Sequence, residues 1–171
     1  MTRLKTYLLL IISVLMLTFL TSCGAIARSK GNKYLTEQKG AIPPEFGQEN
    51  TTLLFITHHG SYNKYLKKNT RKIYNGDYEL VSENEFKTND KYKDLKKYRF
   101  VFDYNYTSPG YDVIRADGSM RAALYNVKKF RILDRKENKE YVSKITSSFW
   151  SKLQKVYLKK LNEKLATEQN Q

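Results

Sequence analysis

The chain contains two histidines, and they are adjacent: His58 and His59 follow the apolar run 53–56. Such a run predicts a strand that is covered on both faces of a sheet. Open α/β sheets bind ligands at the carboxyl ends of their strands, so this is a suitable place for chemistry. An imidazole beside a carboxylate is a common unit of general acid–base catalysis. Asp103 and Asp112 are the candidate partners of His58.

A metal site at this position needs more ligands than the pair provides. Successive strand residues point to opposite faces, so His58 and His59 do not converge on one ion while the strand continues. The sequence has no cysteine besides Cys23, and it has no GxSxG, HExxH or glycine-rich phosphate-binding motif. We therefore predict structural or exposed histidines, no metal, no cofactor and no enzymatic activity. The alternative is a hydrolase or metal-dependent enzyme that uses His58 or His59 with a nearby carboxylate.

The single cysteine follows a segment that has the organisation of a secretory leader. Arg3 and Lys5 precede an uncharged apolar run over residues 7–20, as in a signal peptide. The run is shorter than the about 20 apolar residues that a spanning helix needs, and small residues rather than charged ones follow it. We predict a cleaved signal peptide over residues 1–22.

The residues Leu20-Thr21-Ser22-Cys23 resemble the lipobox of bacterial lipoproteins, in which a leucine and two small residues precede an invariant cysteine. The resemblance implies cleavage before Cys23, attachment of diacylglycerol to its thiol, acylation of the new amino group and anchorage to a membrane. Because Gly24 rather than Asp follows the cysteine, the resemblance also argues against retention at the inner membrane. The expected location is the outer membrane facing the periplasm, and surface exposure is the alternative.

The charge of the chain favours an anionic partner. The sequence has 31 Lys and Arg residues and 17 Asp and Glu residues, which gives a formal net charge of +14. It also has 14 tyrosines. In a cytosolic protein this composition would favour nucleic acid, because cations neutralise phosphates and aromatic rings stack on bases. An exported protein rarely meets nucleic acid. We therefore expect a protein or an anionic envelope component as partner, with a purely solubilising surface as the alternative.

Downstream of the leader, the sequence predicts one small domain. Residues 23–43 are polar and lead into Pro43-Pro44, so we expect the lipidated cysteine to be followed by a flexible tether. The domain is expected over residues 44–166, and a polar tail over 167–171. A single domain of this size buries about 70% of its unfolded surface without disulfide bonds.

Within the domain, the periodicity predicts strands and two main helices. A first strand, a helix capped by Ser61 and the alternating DYELVS strand form a βαβ unit with parallel strands. The aromatic ladder YRFVFDYNY follows, then the long segment MRAALYNVKKFRILD with a bulge near Lys128 and its hairpin partner KEYVSKI. We predict an α+β or α/β fold, with a mixed sheet of about five strands in the order β-α-β-β-β-β-α.

The first helix is amphipathic and basic. Its apolar side contains Tyr62, Tyr65, Leu66 and Ile73, and residues 61–75 include no Asp or Glu that would pair with its cations. The opposite face contains Lys64, Lys67, Lys68, Arg71 and Lys72. We call these five residues the basic face; our hypothesis is that it contacts an anionic partner, and solubility is the alternative.

The closing helix, SSFWSKLQKVYLKKLNEKL, is expected to bury one broad apolar face against the sheet. The residues of that face are Phe149, Trp150, Leu153, Val156, Tyr157 and Leu161. Before this helix, the sequence RILDRKENKEYVSK has a strand ending in Asp, a short basic turn and a return strand. With the order of elements, it is similar to the small α/β domains of envelope lipoproteins that activate wall synthases or build secretion channels. The resemblance implies partner binding and supplies no functional residue.

Overall fold

A computed structural model describes residues 25–107, 110–114, 120–124, 127–146 and 149–169, with side chains described for 25–104, 129–146 and 149–168. A helix that includes residues 25–34 (α1) comes first. The further elements are β1 (Leu53–Thr57), α2 (Gly60–Ile73), β2 (Tyr78–Ser82), α3 (Glu83–Thr88), a 3-10 helix (Asp90–Lys93), β3 (Phe100–Thr107), β4 (Gly110–Ile114), β5 (Met120–Leu124), β6 (Val127–Asp134), β7 (Lys139–Val142) and α4 (Trp150–Gln169). Within these residues, no helix has both the length and the hydropathy needed to cross a bilayer.

The main sheet has five strands in the order β2-β1-β3-β6-β7. β1 pairs in parallel with β2 and with β3, whereas β3, β6 and β7 pair antiparallel. The fold is therefore α+β, a single small domain with a mixed five-stranded sheet. This confirms the predicted fold class and the predicted parallel βαβ unit.

Both faces of the sheet are covered. On one face, α2 and α4 pack over the main core, which includes Phe55, Phe100 and Phe102; on the other, α3 and the 3-10 helix cover a second core with Leu54 and Ile56. Because alternate residues of β1 point into different cores, residues 53–56 are all buried. The prediction of a strand covered on both faces is confirmed.

The aromatic ladder packs mainly under the helices. Phe100, Phe102 and Tyr104 belong to the main core. Tyr98 instead lies in the second core, because β3 begins only at Phe100 and the chain bends before it. The side chain of Tyr106 lies outside the described residues.

The start of α2 differs from the prediction. The helix begins at Gly60, so that His59 rather than Ser61 occupies the N-cap position, and the His59 side chain makes no capping hydrogen bond. Gly60 has a φ of 25°, a positive value that glycine adopts with little steric cost. The turn therefore comes directly after the histidines.

The end of α2 is capped by another helix. The sequence predicts a left-handed cap at Asn75-Gly76, but Tyr74 at the C-cap is extended. Asn162 of α4 donates from Nδ2 to the Ile73 carbonyl (2.5 Å), and its Oδ1 accepts from the Asn75 N–H (3.0 Å). Because a side chain of α4 satisfies these end groups, the local cap is not needed.

The prediction of one bulged strand over residues 120–134 is wrong. β5 pairs with β4 in a separate two-stranded sheet, and β6 pairs with β3 in the main sheet. β6 matches all eight residues of β3, which fixes its beginning at Val127. The predicted hairpin is confirmed, since Asp134 of β6 lies opposite Lys139 of β7.

The predicted flexible tether over residues 23–43 is wrong for its described part. Residues 25–34 are helical, and Leu35, Ala41 and Ile42 are buried in the main core. The Tyr157 hydroxyl of α4 donates to the Ala41 carbonyl. These three apolar residues are not spaced at a helical or strand period, so the sequence carried no periodic signal of their burial. Within the described residues, the folded domain therefore includes the chain from residue 25 onwards.

The closing helix is longer than predicted, and its first residues are less buried. α4 continues to Gln169, so residues 167–169 are helical rather than part of a polar tail. Leu153, Val156, Tyr157 and Leu161 are buried as expected. Phe149 precedes the helix and is 43% exposed, whereas Trp150 is partly buried against the main core.

A buried ion pair joins β3 to the β6–β7 hairpin. The Arg99 guanidinium donates to Asp134 from Nη2 (2.7 Å) and Nε (3.0 Å), and the Asp134 side chain is fully buried. Asp134 Oδ1 also accepts the backbone N–H groups of Lys136 and Glu137. Burial by itself would raise the pKa of Asp134, but these hydrogen bonds outweigh it and hold the pKa below its usual value.

Replacing Asp134 by Ala leaves the buried Arg99 charge with only its longer contacts to Glu49 (3.4 Å) and Glu45 (3.9 Å). The free energy of unfolding should fall by about 3–5 kcal/mol, measured by urea denaturation followed by circular dichroism. Because the folded-state pKa is lowered, the stabilisation by Asp134 is complete above the unfolded-state value near about 4 and is lost as the pH falls below it. The variant should therefore lose less stability in acid than the wild type does.

Asp90 supplies the control, because its carboxylate also meets a cation, Lys93 Nζ at 2.6 Å, but is 84% exposed. Asp90→Ala should leave the denaturation midpoint nearly unchanged. Equal losses in the two variants would contradict the importance of the buried pair.

The docking of α1 depends on a close approach at Gly31. A Cβ on Gly31 would lie 2.7 Å from Val156 Cγ1 and 3.4 Å from Leu153 Cδ1. Gly31→Ala should therefore destabilise the domain by about 1–3 kcal/mol, the usual cost of overpacking. In a double-mutant cycle with Val156→Ala, which removes the overlapping methyl groups, the two losses should be less than additive. Strict additivity would show that α1 does not pack there.

Candidate functional site

The two histidines lie where the sheet connections diverge. The connection from β1 to β2, at the sheet edge, runs through α2 on the main-core face. The connection from β2 to β3 runs through α3 on the other face, and β3 pairs with β1 on the side away from β2. The carboxyl ends of β1 and β3 therefore form a topological switch point, where open α/β sheets bind ligands. His58 and His59 follow β1 at this point.

His58 pairs with Asp103, one of its two predicted partners. Its Nε2 lies 2.6 Å from Asp103 Oδ1, and the two side chains are 22% and 13% exposed. The Asn63 side chain accepts the His58 backbone N–H at 2.8 Å, which fixes the turn into α2. The side chain of Asp112, the other predicted partner, lies outside the described residues.

The Asp103 carboxylate has further donors on both of its oxygens. Oδ1 accepts the backbone N–H of Tyr104 at 2.7 Å, and Oδ2 accepts Nη2 and Nε of Arg131 at 2.8 and 3.3 Å. Arg131 lies opposite Asp103 in the β3–β6 register and also pairs with Glu140 Oε1 of β7 at 2.6 Å. The result is a chain of alternating charges across three strands, which we call the His58–Arg131 network.

His59 has a different partner, as the alternation of strand residues implies. Its Nε2 lies 3.2 Å from the Tyr104 hydroxyl. The centre of the Tyr104 ring also lies 4.2 Å from that of Tyr62, in a tilted arrangement, and 4.8 Å from that of His58, edge to face. The two histidines thus contact one aromatic cluster but do not converge on a common point. Within the described residues there is no group of three His, Cys, Asp or Glu side chains that could hold a metal ion.

Tyr62 is the fully buried member of this cluster. Its hydroxyl has no hydrogen-bond partner among the described residues. Burial raises the pKa of Tyr62 well above its usual value, and the negative charge of Asp103 raises it further. The phenol is therefore neutral at physiological pH and is not a candidate base.

The Asp103 carboxylate of this network is shared between His58 and Arg131. A catalytic imidazole–carboxylate pair needs a third group to activate, such as a nucleophile or a held water molecule. Here the carboxylate is also neutralised by Arg131, which weakens its ability to stabilise an imidazolium. A cavity among the described residues lies elsewhere, lined by parts of α1 and α4 and by the segment before α4.

Sequence reasoning found His58 and Asp103 but missed Arg131, Glu140 and Tyr62. The sequence does carry one signal, because Arg131 and Asp103 each lie in an alternating β segment on the side opposite the aromatic residues. Their pairing depends on the register of β3 against β6. No local pattern specified that register.

All five residues of the basic face are exposed on α2. Among the described residues, no carboxylate lies within ion-pair distance of Lys64, Lys67, Lys68, Arg71 or Lys72. By contrast, the lysines of α3 and the 3-10 helix, such as Lys87 and Lys91, pair with neighbouring glutamates. The basic face therefore presents its charge to solvent. Contact with a partner stays a prediction.

Comparison with known proteins identifies no relative: no protein-family model, no curated protein and no solved structure matches the chain.

The His58–Asp103 contact predicts energetic coupling that His59 does not share. In a double-mutant cycle, His58→Ala and Asp103→Ala should show an interaction energy of about 0.5–3 kcal/mol, measured by chemical denaturation. His59→Ala is the matched control, because this neighbouring imidazole bonds to Tyr104 and not to the carboxylate. The losses of unfolding free energy in His59→Ala and Asp103→Ala should therefore be additive. Equal coupling for both histidines would contradict the observed pairing.

Proposed function

We propose that this protein is a lipid-anchored component of the bacterial cell envelope whose α+β domain binds a partner without catalysing a reaction. The observation that carries the proposal is Leu20-Thr21-Ser22-Cys23 at the end of a basic and apolar leader. Two or three acyl chains hold a protein firmly at a membrane, since each buried methylene contributes about 0.8 kcal/mol. The proposed location is the outer membrane facing the periplasm.

The basic face supports an anionic partner. It has five cations on one exposed helix side and no acidic residue between positions 61 and 75. Such a field attracts anionic surfaces over roughly the Debye length, about 8 Å at physiological ionic strength. The proposed partner is a protein or an anionic envelope component and not nucleic acid. The alternative form of this proposal is a surface-exposed interaction protein, in which the anchored domain faces the outside of the cell.

One observation favours a second candidate function. His58 Nε2 lies 2.6 Å from Asp103 at the carboxyl end of β1, which is the geometry of an acid–base pair. A hydrolase acting on envelope substrates would lose its activity in His58→Gln and keep it in His59→Gln. We rank this function second, because Arg131 neutralises the same carboxylate and Tyr62 is a neutral phenol.

Replacing Cys23 by Ala should abolish both lipid attachment and processing. The variant should not incorporate labelled palmitate, and it should leave the membrane fraction or accumulate as a precursor of unchanged length. Ser22→Ala is the matched control, because it keeps a small residue beside the cysteine and should be labelled normally. A Cys23→Ala protein that is processed and remains in the membrane like the wild type would overturn the lipoprotein proposal.

Charge reversal on the basic face should weaken partner binding without unfolding the domain. Lys64, Lys68 and Arg71 are exposed, so their replacement by Glu should change the melting temperature little while reducing binding to anionic vesicles at low salt. Wild-type binding should fall steeply as salt is added, because the Debye length shortens from about 30 Å at 0.01 M to about 8 Å at 0.15 M.

The control for net charge is a second triple reversal at exposed lysines outside α2: Lys39, Lys155 and Lys159. It changes the total charge by the same amount but leaves the basic face intact. If both triple variants bind equally weakly, total charge decides the binding. If the basic-face variant binds as well as the wild type, these residues serve solubility alone.

A further inference from the structure

An apolar groove lies between α1 and the beginning of α4. Ile26 and Ala27 of α1, Ile145 and Thr146 before α4, and Phe149 and Leu153 form most of its lining, with Lys30 at its edge. Its volume of about 130 Å³ is below the roughly 300–1,000 Å³ of small-molecule sites. The groove is therefore too small for an ordinary ligand but lies in an exposed apolar surface.

Two large apolar side chains project from this groove into solvent. Ile26 is 55% exposed and Phe149 is 43% exposed. Among the described residues only Tyr65 and Leu95 are other large hydrophobic side chains of comparable exposure. Exposed apolar side chains grouped at one place mark a protein or membrane contact more often than scattered ones do.

The groove lies beside the proposed point of lipid attachment. Ile26 follows Cys23 by three residues, and each residue spans at most about 3.6 Å. The two Cα atoms are therefore no more than about 11 Å apart. Because α1 packs on α4 through Gly31 and Val156, no flexible linker follows residue 25 to let the domain move away from its anchor.

The charges around the groove match an anionic lipid surface. Arg28, Lys30 and Lys33 are exposed on α1, and Lys144 and Lys152 are exposed on the other side. Neither residues 25–35 nor residues 143–153 include an Asp or Glu. Lys152 Nζ also lies 5.1 Å from the centre of the Phe149 ring, so an apolar group and a cation stand side by side, as at membrane interfaces.

We propose that this groove is a membrane-docking surface: Ile26 and Phe149 insert into the interface of the anchoring bilayer, and the surrounding cations contact its lipid phosphates. The inference rests on the proposed anchor at Cys23. It adds that the domain lies on the membrane in one orientation, with α1 and the first turn of α4 against the lipid. Removal of one cation near such a surface should weaken the contact about fivefold.

The orientation can be tested on the full lipidated protein in anionic phospholipid vesicles. Lipidation blocks the thiol of Cys23, so an introduced cysteine is the single labelling site. Thr146→Cys places a fluorescent probe at the groove and leaves Ile26 and Phe149 intact. Asp90→Cys places the control probe on the opposite face of the sheet, where the 3-10 helix covers the second core.

The Thr146 probe should be quenched by nitroxide lipids and shielded from iodide in the buffer, and the Asp90 probe should behave in the opposite way. Adding Ile26→Ser and Phe149→Ser should make the Thr146 probe accessible to iodide without releasing the protein from the vesicle. Tyr65→Ser with Leu95→Ser, a similar apolar loss elsewhere, should not do so. The melting temperature should change little in either pair, since all four side chains are substantially exposed.

The mass of the purified protein separates the two proposals. If Cys23 carries its lipid and the Thr146 probe is open to iodide, docking is wrong and the anchor stands. If the probe is shielded from both quenchers, a protein rather than lipid covers the groove, which also overturns docking. If no lipid is present, both proposals fail.

Discussion

The ion pair between Arg99 and Asp134 is the constraint on which the arrangement of the sheet depends. Asp134 is fully buried, so its charge costs several kcal/mol of desolvation unless every lone pair finds a donor. The two donors of Arg99 and two backbone N–H groups of the hairpin turn provide this. A shift of β6 by one residue along β3 would separate these groups, so the pair selects a single register.

The same guanidinium connects the sheet to the N-terminal part of the domain. Arg99 Nη1 lies 3.4 Å from Glu49, and the group stacks over the Phe100 ring at 4.9 Å. Phe100 in turn meets Phe46 edge to face at 5.3 Å. Segments that are far apart in the sequence are thereby held at one end of β3, and α4 closes the main core above them.

The accuracy of the sequence predictions depends on the range of the interactions. β1, the βαβ unit and the β6–β7 hairpin follow from local patterns of apolar residues and turns, and they were predicted. Residues 25–43 were misjudged because Leu35 and Ala41 are buried in a core made by distant parts of the chain, such as Tyr157 of α4, which bonds to Ala41 across 116 positions. At the site, the adjacent histidines and Asp103 were visible as residue types. Arg131 became part of the site only through strand register, which no short stretch of sequence encodes.

The dependence of so many contacts on α4 sets the order in which the domain can fold. The Tyr157 hydroxyl bonds to the Ala41 carbonyl across 116 positions, Asn162 ends α2, and Gln154 Oε1 accepts from Asn69 at 2.6 Å. α4 is the last element of the described chain, so until α4 is in place the main core is open and these polar groups lack their partners. Native contacts of such long sequence separation form slowly. Until α4 has formed, the earlier elements therefore remain incompletely folded, and the domain acquires its native core in one late step rather than segment by segment.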